Sequence, residues 1–200
     1  MRKALTHLKK SDPVMRAIIE RVGAYTIQYR EPVFETLVRS IVYQQLSGKA
    51  AGTIFARVAD AVGEPFTPQA VLKITPKRMQ KLGLSRQKQE YIRDLAKRTL
   101  DGEIDFGALE ELDDAEIIER MTAVKGVGVW TVHMFLMFAM RRSNVLPVGD
   151  LGVRSAIRKA YGLEEMPKPA EVLRIAEGWH PHCSVASWYL WRSLENEGQM

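Results

Sequence analysis

Hydrophobic residues recur at helical spacing along most of this chain, and no stretch shows the strict alternation of a β-strand. The pattern is clearest where Phe34, Leu37, Val38, Ile41 and Val42 fall on one face of a helix. Prolines and glycines separate the apolar segments, and no internal repeat or low-complexity linker interrupts them. We therefore predict an all-α fold.

Short polar residues mark the helix starts, because Asp, Ser and Thr cap the first turn and a following proline fits its first position. Asp12, Thr67 and Thr75 each precede a proline, and Ser47 and Ser85 are predicted to cap two longer helices. Further helices are predicted at about 113–121, 128–140, 151–161, 167–178 and 184–196.

A glycine-rich turn joins the helices predicted at 113–121 and 128–140, with the sequence Val124-Lys125-Gly126-Val127-Gly128-Val129-Trp130-Thr131. Glycine allows positive φ and a close backbone approach. Because the second helix starts at Gly128, its free N–H groups and the positive end of its dipole are available to an anion. A Gly-x-Gly pair alone is weak evidence, but with a helix on each side it predicts a phosphate-binding turn.

Composition narrows the classes of function. A net charge of +5 and a pI of about 9.3 are compatible with a nucleic-acid partner without establishing one. The only cysteine, Cys183, excludes an intramolecular disulfide and a four-cysteine cluster, and it is typical of a reducing compartment. Residues 1–10 contain no apolar run that would form a signal peptide, and the most apolar window, 127–140, is too short to cross a bilayer. We expect a cytoplasmic protein with no membrane partner.

The glycine-rich turn and four other segments resemble the helix-hairpin-helix DNA glycosylases, the HhH-GPD superfamily. Within that superfamily the chain is most similar to the 3-methyladenine DNA glycosylase II (AlkA-type) branch, over about residues 12–197. Besides the turn, the resemblance is carried by Tyr43-Gln44-Gln45-Leu46-Ser47, Leu82-Gly83-Leu84, Asp150, and Trp179-His180-Pro181 leading to Trp191.

The family fold implies two helical lobes around a cleft, with the hairpin and a catalytic Asp at its mouth. The resemblance assigns residues 1–29 and 133–200 to a terminal lobe. It assigns residues 30–132 to a middle lobe that ends in the helix-hairpin-helix, at about 113–140. Longer members of the branch carry an N-terminal β-rich domain, and we expect the short form here, without that domain.

Asp150 matches the catalytic carboxylate of the family, and it follows Trp130 by 20 residues, as in the AlkA-type branch. Cleavage of an N-glycosidic bond leaves an oxocarbenium-like sugar, which a fixed negative charge stabilises. The alternative is that Asp150 only caps the helix that it precedes. The two roles are compatible, because a helix N-terminus stabilises negative charge.

Trp130 stands where bifunctional members of the family have a lysine that attacks the sugar as a Schiff-base nucleophile. Tryptophan cannot do this, so the resemblance implies a monofunctional enzyme that uses water and requires no cofactor. Lys125 occupies the usual proline position of the family, and we expect it to face phosphate or solvent.

The resemblance places Trp191 in the pocket for the flipped base, where it would form a stacking box with Trp130. Purines such as 3-methyladenine and 7-methylguanine are cationic, and an indole face attracts them by about 0.5–2 kcal/mol. Met134 and Leu151 stand where some members have aromatic residues, so a thinner pocket is expected. The alternative for Trp191 is a core position on the last helix.

Contacts with double-stranded DNA are implied at several turns, because a flipped base leaves a gap that the protein must fill. In the turn 82–86, Arg86 aligns best with the intercalating residue of the family and Leu84 aligns next, while a simple inter-helix turn is the alternative. Gln45 is a candidate to fill the gap opposite the estranged base. The predicted DNA-contact residues are Gly126, Gly128, Lys125, Thr131, Gln44, Gln45, Ser47, Leu84, Arg86 and Ser155, with Arg158 as a further phosphate contact.

The resemblance also implies a structural Na⁺ or K⁺ at the hairpin. Its ligands would be the backbone carbonyls of Thr122, Val124 and Val127. His180 and His182 suggest a metal pair, but Cys183 is the only other ligand type beside them, so no metal site is predicted there.

We predict a monomeric, monofunctional DNA glycosylase that flips alkylated purines from duplex DNA and hydrolyses the glycosidic bond, leaving an abasic site. One alternative is a non-catalytic helix-hairpin-helix DNA-binding protein, which would need neither Asp150 nor Trp191. Another is a glycosylase of the lyase or mismatch type for a different lesion. The tryptophan at position 130 and the single cysteine argue against the iron–sulfur versions of that type.

Overall fold

The computed structural model describes residues 1–195, and within that range the regular structure is helical throughout, which confirms the all-α prediction. Two short 3₁₀ helices, Leu109–Glu111 and Ala176–Trp179, accompany the α-helices. The α-helices are α1 (Arg2–Ser11), α2 (Pro13–Val22), α3 (Phe34–Tyr43), α4 (Gly48–Val62), α5 (Pro68–Lys73), α6 (Pro76–Lys81), α7 (Arg86–Leu100), α8 (Asp114–Thr122), α9 (Val129–Phe138), α10 (Leu151–Ala160), α11 (Pro169–Ile175) and α12 (Cys183–Glu195).

The predicted caps are confirmed. The side chains of Asp12, Ser47, Thr67, Thr75 and Ser85 each accept a hydrogen bond from a backbone N–H in the first turn of the following helix. These caps explain why sequence patterns located the starts of these helices to within a residue.

Several helix predictions need correction. Helix α1 was not predicted, because five basic residues in ten obscure an apolar stripe of only two buried positions, Ala4 and Leu8. Helix α9 ends two residues before the expected Met140. Residue 196, the predicted end of the last helix, lies outside the described residues.

Contacts divide the chain into two units. The terminal unit contains residues 1–29 and the chain from Leu136, and the middle unit is Arg30–Phe135. The division by contacts falls three residues after the predicted lobe boundary at 132/133, and both positions lie inside α9. Phe135 still belongs to the middle unit, because its ring packs edge-on against Phe106 with centroids 6.1 Å apart.

The core of the middle unit is built around α7. This helix packs against α3, α5 and α6, and its Ile92 and Leu95 are fully buried, as are Leu37 and Ile41 of α3. Tyr91 and Asp94, in the same stretch of α7, contact the glycine-rich turn described below. Burial of the core side chains therefore fixes the helix that supports that turn.

In the terminal unit, α12 packs against α2 and α10. Asp12 ties this core together, because one carboxylate oxygen caps α2 and the other accepts hydrogen bonds from Tyr161 Oη and from Trp179 Nε1, the latter at 2.8 Å. Burial and the hydrogen bond to Asp12 raise the pKa of Tyr161. The end of α10 is thus held against the start of α2, and its other end carries Asp150.

Across residues 1–195, each helix is too short or too polar to serve as a membrane span.

Candidate functional site

Asp150 caps α10, and its carboxylate is 8% exposed. Oδ1 accepts two hydrogen bonds, one from the backbone N–H of Val153 at 2.7 Å and one from Trp191 Nε1 at 2.7 Å. Both donors and the positive end of the helix dipole stabilise negative charge on this carboxylate. The capping role and a catalytic role are therefore compatible in the folded protein.

The loop that precedes Asp150 is attached to the start of α12 by Ser184. The Ser184 hydroxyl donates to the carbonyl of Arg142 at 2.6 Å and accepts from the N–H of Val145 at 3.0 Å. The Ser184 N–H donates to the carbonyl of Ser143 at 3.0 Å. Trp191 lies two turns further along the same helix, so α12 holds both the loop and the carboxylate to which it leads. Sequence reasoning did not identify Ser184, because a single serine gives no pattern.

The indole of Trp191 lies against the first turn of α10. It stacks on Phe138 with ring centroids 5.9 Å apart and planes inclined by 25°. A Cβ atom at Gly152 would lie 2.8 Å from Trp191 Cδ1 and 3.1 Å from Asp150 Oδ1. The absence of a side chain at Gly152 is therefore what allows the indole N–H to reach the carboxylate, a requirement that sequence reasoning missed.

The other predicted site residues of the terminal unit lie on α10. Leu151 is 67% exposed at the first helical position, Ser155 is partly buried and Arg158 is exposed in the last turn. Their assigned roles stay predictions, and the exposure of Leu151 and Arg158 is compatible with ligand contact.

The glycine-rich turn forms between α8 and α9 in the middle unit, as predicted. Gly126 has φ +74°, and a Cβ atom there would lie 2.0 Å from Cε2 of Tyr91, so the tyrosine ring occupies the space that a side chain at this position would need. The N–H of Lys125 donates to Asp94 Oδ2 at 2.9 Å. Tyr91 and Asp94 are both on α7, which therefore fixes the conformation of the turn.

The segment after α3 meets this hairpin through a side chain. Gln44 Nε2 donates to the carbonyl of Gly126 at 2.9 Å. The next residue, Gln45, has φ +56°, which is uncommon for a residue with a side chain, and Leu46 is 40% exposed. Gln44, Gln45 and Leu46, called here the 44–46 turn, thus present a polar and an apolar side chain beside the glycine-rich turn. Ser47 follows as the N-cap of α4.

Two predicted DNA-contact residues are buried. Leu84 is 2% exposed because its side chain is part of the core of the middle unit, and this argues against an intercalating role. Thr131 is only 6% exposed, but it lines the depression beside the glycine-rich turn, so its contact with DNA stays a prediction. Arg86 is exposed at the start of α7, so its role as the intercalating residue stays a prediction. Leu46, which sequence reasoning passed over, is an exposed apolar residue suited to insertion between bases.

Trp130 is 51% exposed in the first turn of α9. It borders a depression of about 410 Å³ in the middle unit, whose other lining residues are Gln44, Gln45, Gln87, Lys88, Tyr91, Gly126 and Thr131. Met134 is partly buried one turn further along α9. A stacking box formed by Trp130 with Trp191 stays a prediction, since these tryptophans belong to different units.

The carbonyls that are predicted to bind a monovalent cation lie at the end of α8 and in the glycine-rich turn. Thr122 is the last residue of α8, so its carbonyl lies at the negative end of the helix dipole. The carbonyl of Val124 accepts the N–H of Val127 at 3.1 Å and keeps a second lone pair. Whether an ion binds to the predicted carbonyls stays a prediction.

The histidines near α12 have protein partners. His180 Nδ1 lies 2.9 Å from Asn144 Oδ1 and 3.5 Å from Cys183 Sγ, and His182 packs edge-on against His7. Burial raises the pKa of the Cys183 thiol to about 12. In the described part of the chain, no three His, Cys, Asp or Glu side chains are grouped as metal ligands.

The sequence of this chain is similar to those of known DNA repair proteins. Residues 38–182 match the HhH-GPD superfamily of base excision DNA repair proteins. The chain is 34% identical over 198 residues to DNA-3-methyladenine glycosylase 1 of Schizosaccharomyces pombe, covering 96% of this chain and 86% of that protein.

Solved structures of 3-methyladenine DNA glycosylases are similar to this chain in fold. A DNA-3-methyladenine glycosidase from Bacillus halodurans is similar with a TM-score of 0.88 and 34% identity, over 98% of this chain and 91% of that one. The S. pombe 3-methyladenine DNA glycosylase in complex with abasic DNA is similar with a TM-score of 0.83 and 33% identity, over 95% of each chain.

Proposed function

This chain belongs to the HhH-GPD superfamily of base excision DNA repair proteins, and we propose that it is a monofunctional DNA glycosylase that excises alkylated purines from double-stranded DNA. Its substrates would be bases of the 3-methyladenine and 7-methylguanine type, and its product an abasic site. Relatives that cover nearly the whole chain are named for 3-methyladenine excision, which supports this substrate class.

One observation carries the proposal, namely the buried carboxylate of Asp150 with two N–H donors on one oxygen. As the base leaves, positive charge develops on the sugar, and a carboxylate held in place stabilises that charge without reorganisation. Asp12 is held in a similar way in a structural role, so catalysis by Asp150 is favoured by this geometry together with its match to the catalytic carboxylate of the family. The same geometry limits the motion of the Asp150 carboxylate, since its two donors come from different helices.

The aromatic pair formed by Trp191 and Phe138 suits a cationic base. An electron-rich indole attracts the positive charge of an alkylated purine, and that charge also makes the base a good leaving group. Protonation of the leaving base by a general acid is then unnecessary, which agrees with a site centred on a single carboxylate.

Water is the proposed nucleophile. Trp130 offers no amine at the position where a lysine would form a Schiff base. No cofactor is required for hydrolysis. A Na⁺ or K⁺ ion, where bound, would be held by the carbonyls of Thr122, Val124 and Val127 and would neutralise a DNA phosphate.

Base flipping leaves a gap in the duplex. Gln45 and Leu46 of the 44–46 turn are the residues that we propose to occupy this gap, with Arg86 as a further contact. The glycine-rich turn would bind the phosphate backbone beside it. We expect the enzyme to act as a monomer in the cytoplasm, with the nucleoid as its site of action in a prokaryotic cell.

The test is release of free bases from methylated duplex DNA, with each base identified by chromatography. We expect 3-methyladenine and 7-methylguanine, and no covalent adduct when borohydride is added during the reaction. Release of a different base class would move the proposal to another lesion, and a trapped adduct would overturn the monofunctional mechanism. DNA binding with no base release would favour a non-catalytic protein.

Gly152→Ala tests the contact between Trp191 and Asp150. The new Cβ atom would lie 2.8 Å from the indole, so the indole must move away from the carboxylate. We expect single-turnover excision to fall by roughly tenfold or more, since small displacements at a reacting centre are costly. Stability should not fall in parallel, because alanine is favoured over glycine inside a helix by about 1 kcal/mol.

Gly149→Ala is the matched control for this experiment. A Cβ atom at Gly149 meets nothing within 4 Å, so this variant should excise at close to the wild-type rate. Equal rates for Gly152→Ala and wild type would show that the indole contact is dispensable.

A further inference from the structure

Lys88 lies on α7 and directs its ammonium group at backbone carbonyls. Nζ donates to the carbonyl of Val42 at 2.7 Å and to the carbonyl of Gln44 at 2.8 Å. These carbonyls lie at the end of α3, where carbonyls lack helical partners and the helix dipole favours a cation. Burial lowers the pKa of Lys88, in keeping with an ammonium group partly removed from solvent.

The residue that follows the second of these carbonyls is under conformational strain. Gln45 has φ +56°, and this left-handed conformation is unfavourable for a residue with a side chain. The backbone hydrogen bonds made by the 44–46 turn are long: the N–H of Gln44 donates to the carbonyl of Ile41 and the N–H of Leu46 donates to the carbonyl of Tyr43, each at 3.3 Å. The two bonds from Lys88 therefore hold the backbone directly before the strained residue.

The same helix supports the glycine-rich turn. Lys88, Tyr91 and Asp94 follow each other at intervals of three residues, so they lie on one side of α7. Tyr91 packs against Gly126 and Asp94 accepts the N–H of Lys125. The side chain of Gln44 joins the two turns directly, through the carbonyl of Gly126. One face of α7 thus fixes two turns that carry proposed DNA contacts.

We propose that Lys88 is a positioning residue, which acts through the carbonyls of Val42 and Gln44 to hold Gln45 and Leu46 in the conformation that meets DNA at the damaged site. This inference rests on the proposed function in one respect, that the ligand of the 44–46 turn is DNA. Lys88 uses two of its three N–H donors within the protein, so we assign it to positioning rather than to phosphate binding, and the dependence of affinity on salt separates the two roles.

The test compares the affinity of Lys88→Met for two duplexes of the same sequence, one intact and one carrying a tetrahydrofuran abasic analogue. Wild type should prefer the abasic duplex, because Gln45 and Leu46 enter the gap without displacing a base. In Lys88→Met the ratio of affinity for the abasic duplex to affinity for the intact duplex should fall roughly tenfold, while affinity for the intact duplex stays almost unchanged. Thermal unfolding of both proteins shows whether the variant is folded.

Lys97→Met is the matched control, since it removes an exposed lysine from the same helix. Its preference for the abasic duplex should equal that of wild type. The slope of affinity against salt should be the same for both variants, whereas a phosphate contact at Lys88 would lower the slope by about one unit in its variant alone.

Chemical rescue provides the second variant. Lys88→Cys should lose the preference, and aminoethylation of that cysteine should restore it by rebuilding an ammonium group of nearly the same length. Cys183 is fully buried and its thiol has a raised pKa, so it is a poor competitor for the reagent, and wild type treated in the same way is the control.

The outcomes separate this inference from the proposed function. Unchanged preference in Lys88→Met, an equal loss of affinity for both duplexes, or failure of the rescue would each overturn the role of Lys88. Absence of base release by wild type would overturn the glycosylase proposal alone, because the binding ratio does not depend on excision. Absence of binding to either duplex would overturn both.

Discussion

Asp150→Asn is expected to reduce excision of alkylated purines by at least about 100-fold, since it removes the charge that stabilises the oxocarbenium-like sugar. The amide oxygen of asparagine can still accept hydrogen bonds from the N–H of Val153 and from Trp191 Nε1. The variant therefore changes charge while it retains the helix cap and the indole contact. Single-turnover base release measures the loss, and affinity for a duplex with an abasic analogue should be largely retained.

Asp113→Asn is the matched control for charge. Asp113 also caps a helix, α8, and its side chain accepts the N–H of Glu116, but it belongs to the middle unit and has no proposed role in chemistry. Its variant should excise at the wild-type rate. Asp150→Ala should be less stable than Asp150→Asn by about 0.5–2 kcal/mol, because the cap is lost as well. Wild-type turnover in Asp150→Asn would rule out the proposed mechanism.

The features predicted correctly from sequence are local. A cap such as Ser47 or Thr75 acts on an N–H three residues away, so residue types and spacing identify it without knowledge of the fold. The glycine-rich turn is equally local, and its φ of +74° at Gly126 follows the expectation for a Gly-x-Gly pair between helices.

The features missed are contacts between distant residues. Trp191 and Asp150 are 41 positions apart, and Gln44 and Gly126 are 82 apart, so neither hydrogen bond has a signature in sequence spacing. Leu84 was misassigned for the same reason. Its place in a turn suggested exposure, whereas packing in the middle unit buries it.

Gly126→Ala is expected to disrupt the phosphate-binding turn. The added Cβ atom would lie 2.0 Å from the ring of Tyr91, and φ of +74° is unfavourable for any residue with a side chain. Backbone strain of this kind costs about 1–3 kcal/mol, which thermal unfolding would detect. Each lost hydrogen bond to a phosphate is worth about 1.5–3 kcal/mol, so affinity for duplex DNA should fall roughly 10- to 100-fold.

Gly128→Ala is the matched control, because it also replaces a glycine of the turn but adds neither a strained φ nor a clash. Gly128 does not have positive φ, and a Cβ atom there meets nothing within 4 Å, so this variant should fold and bind DNA nearly as wild type does. Combining Gly126→Ala with Tyr91→Ala removes the clash but leaves the strained φ, so affinity should recover in part. If both glycine variants bind DNA equally well, the turn does not bind phosphate through the conformation seen here. If both fail equally, the close approach of Tyr91 to Gly126 is not what shapes the turn, because only one of the two positions contacts that ring.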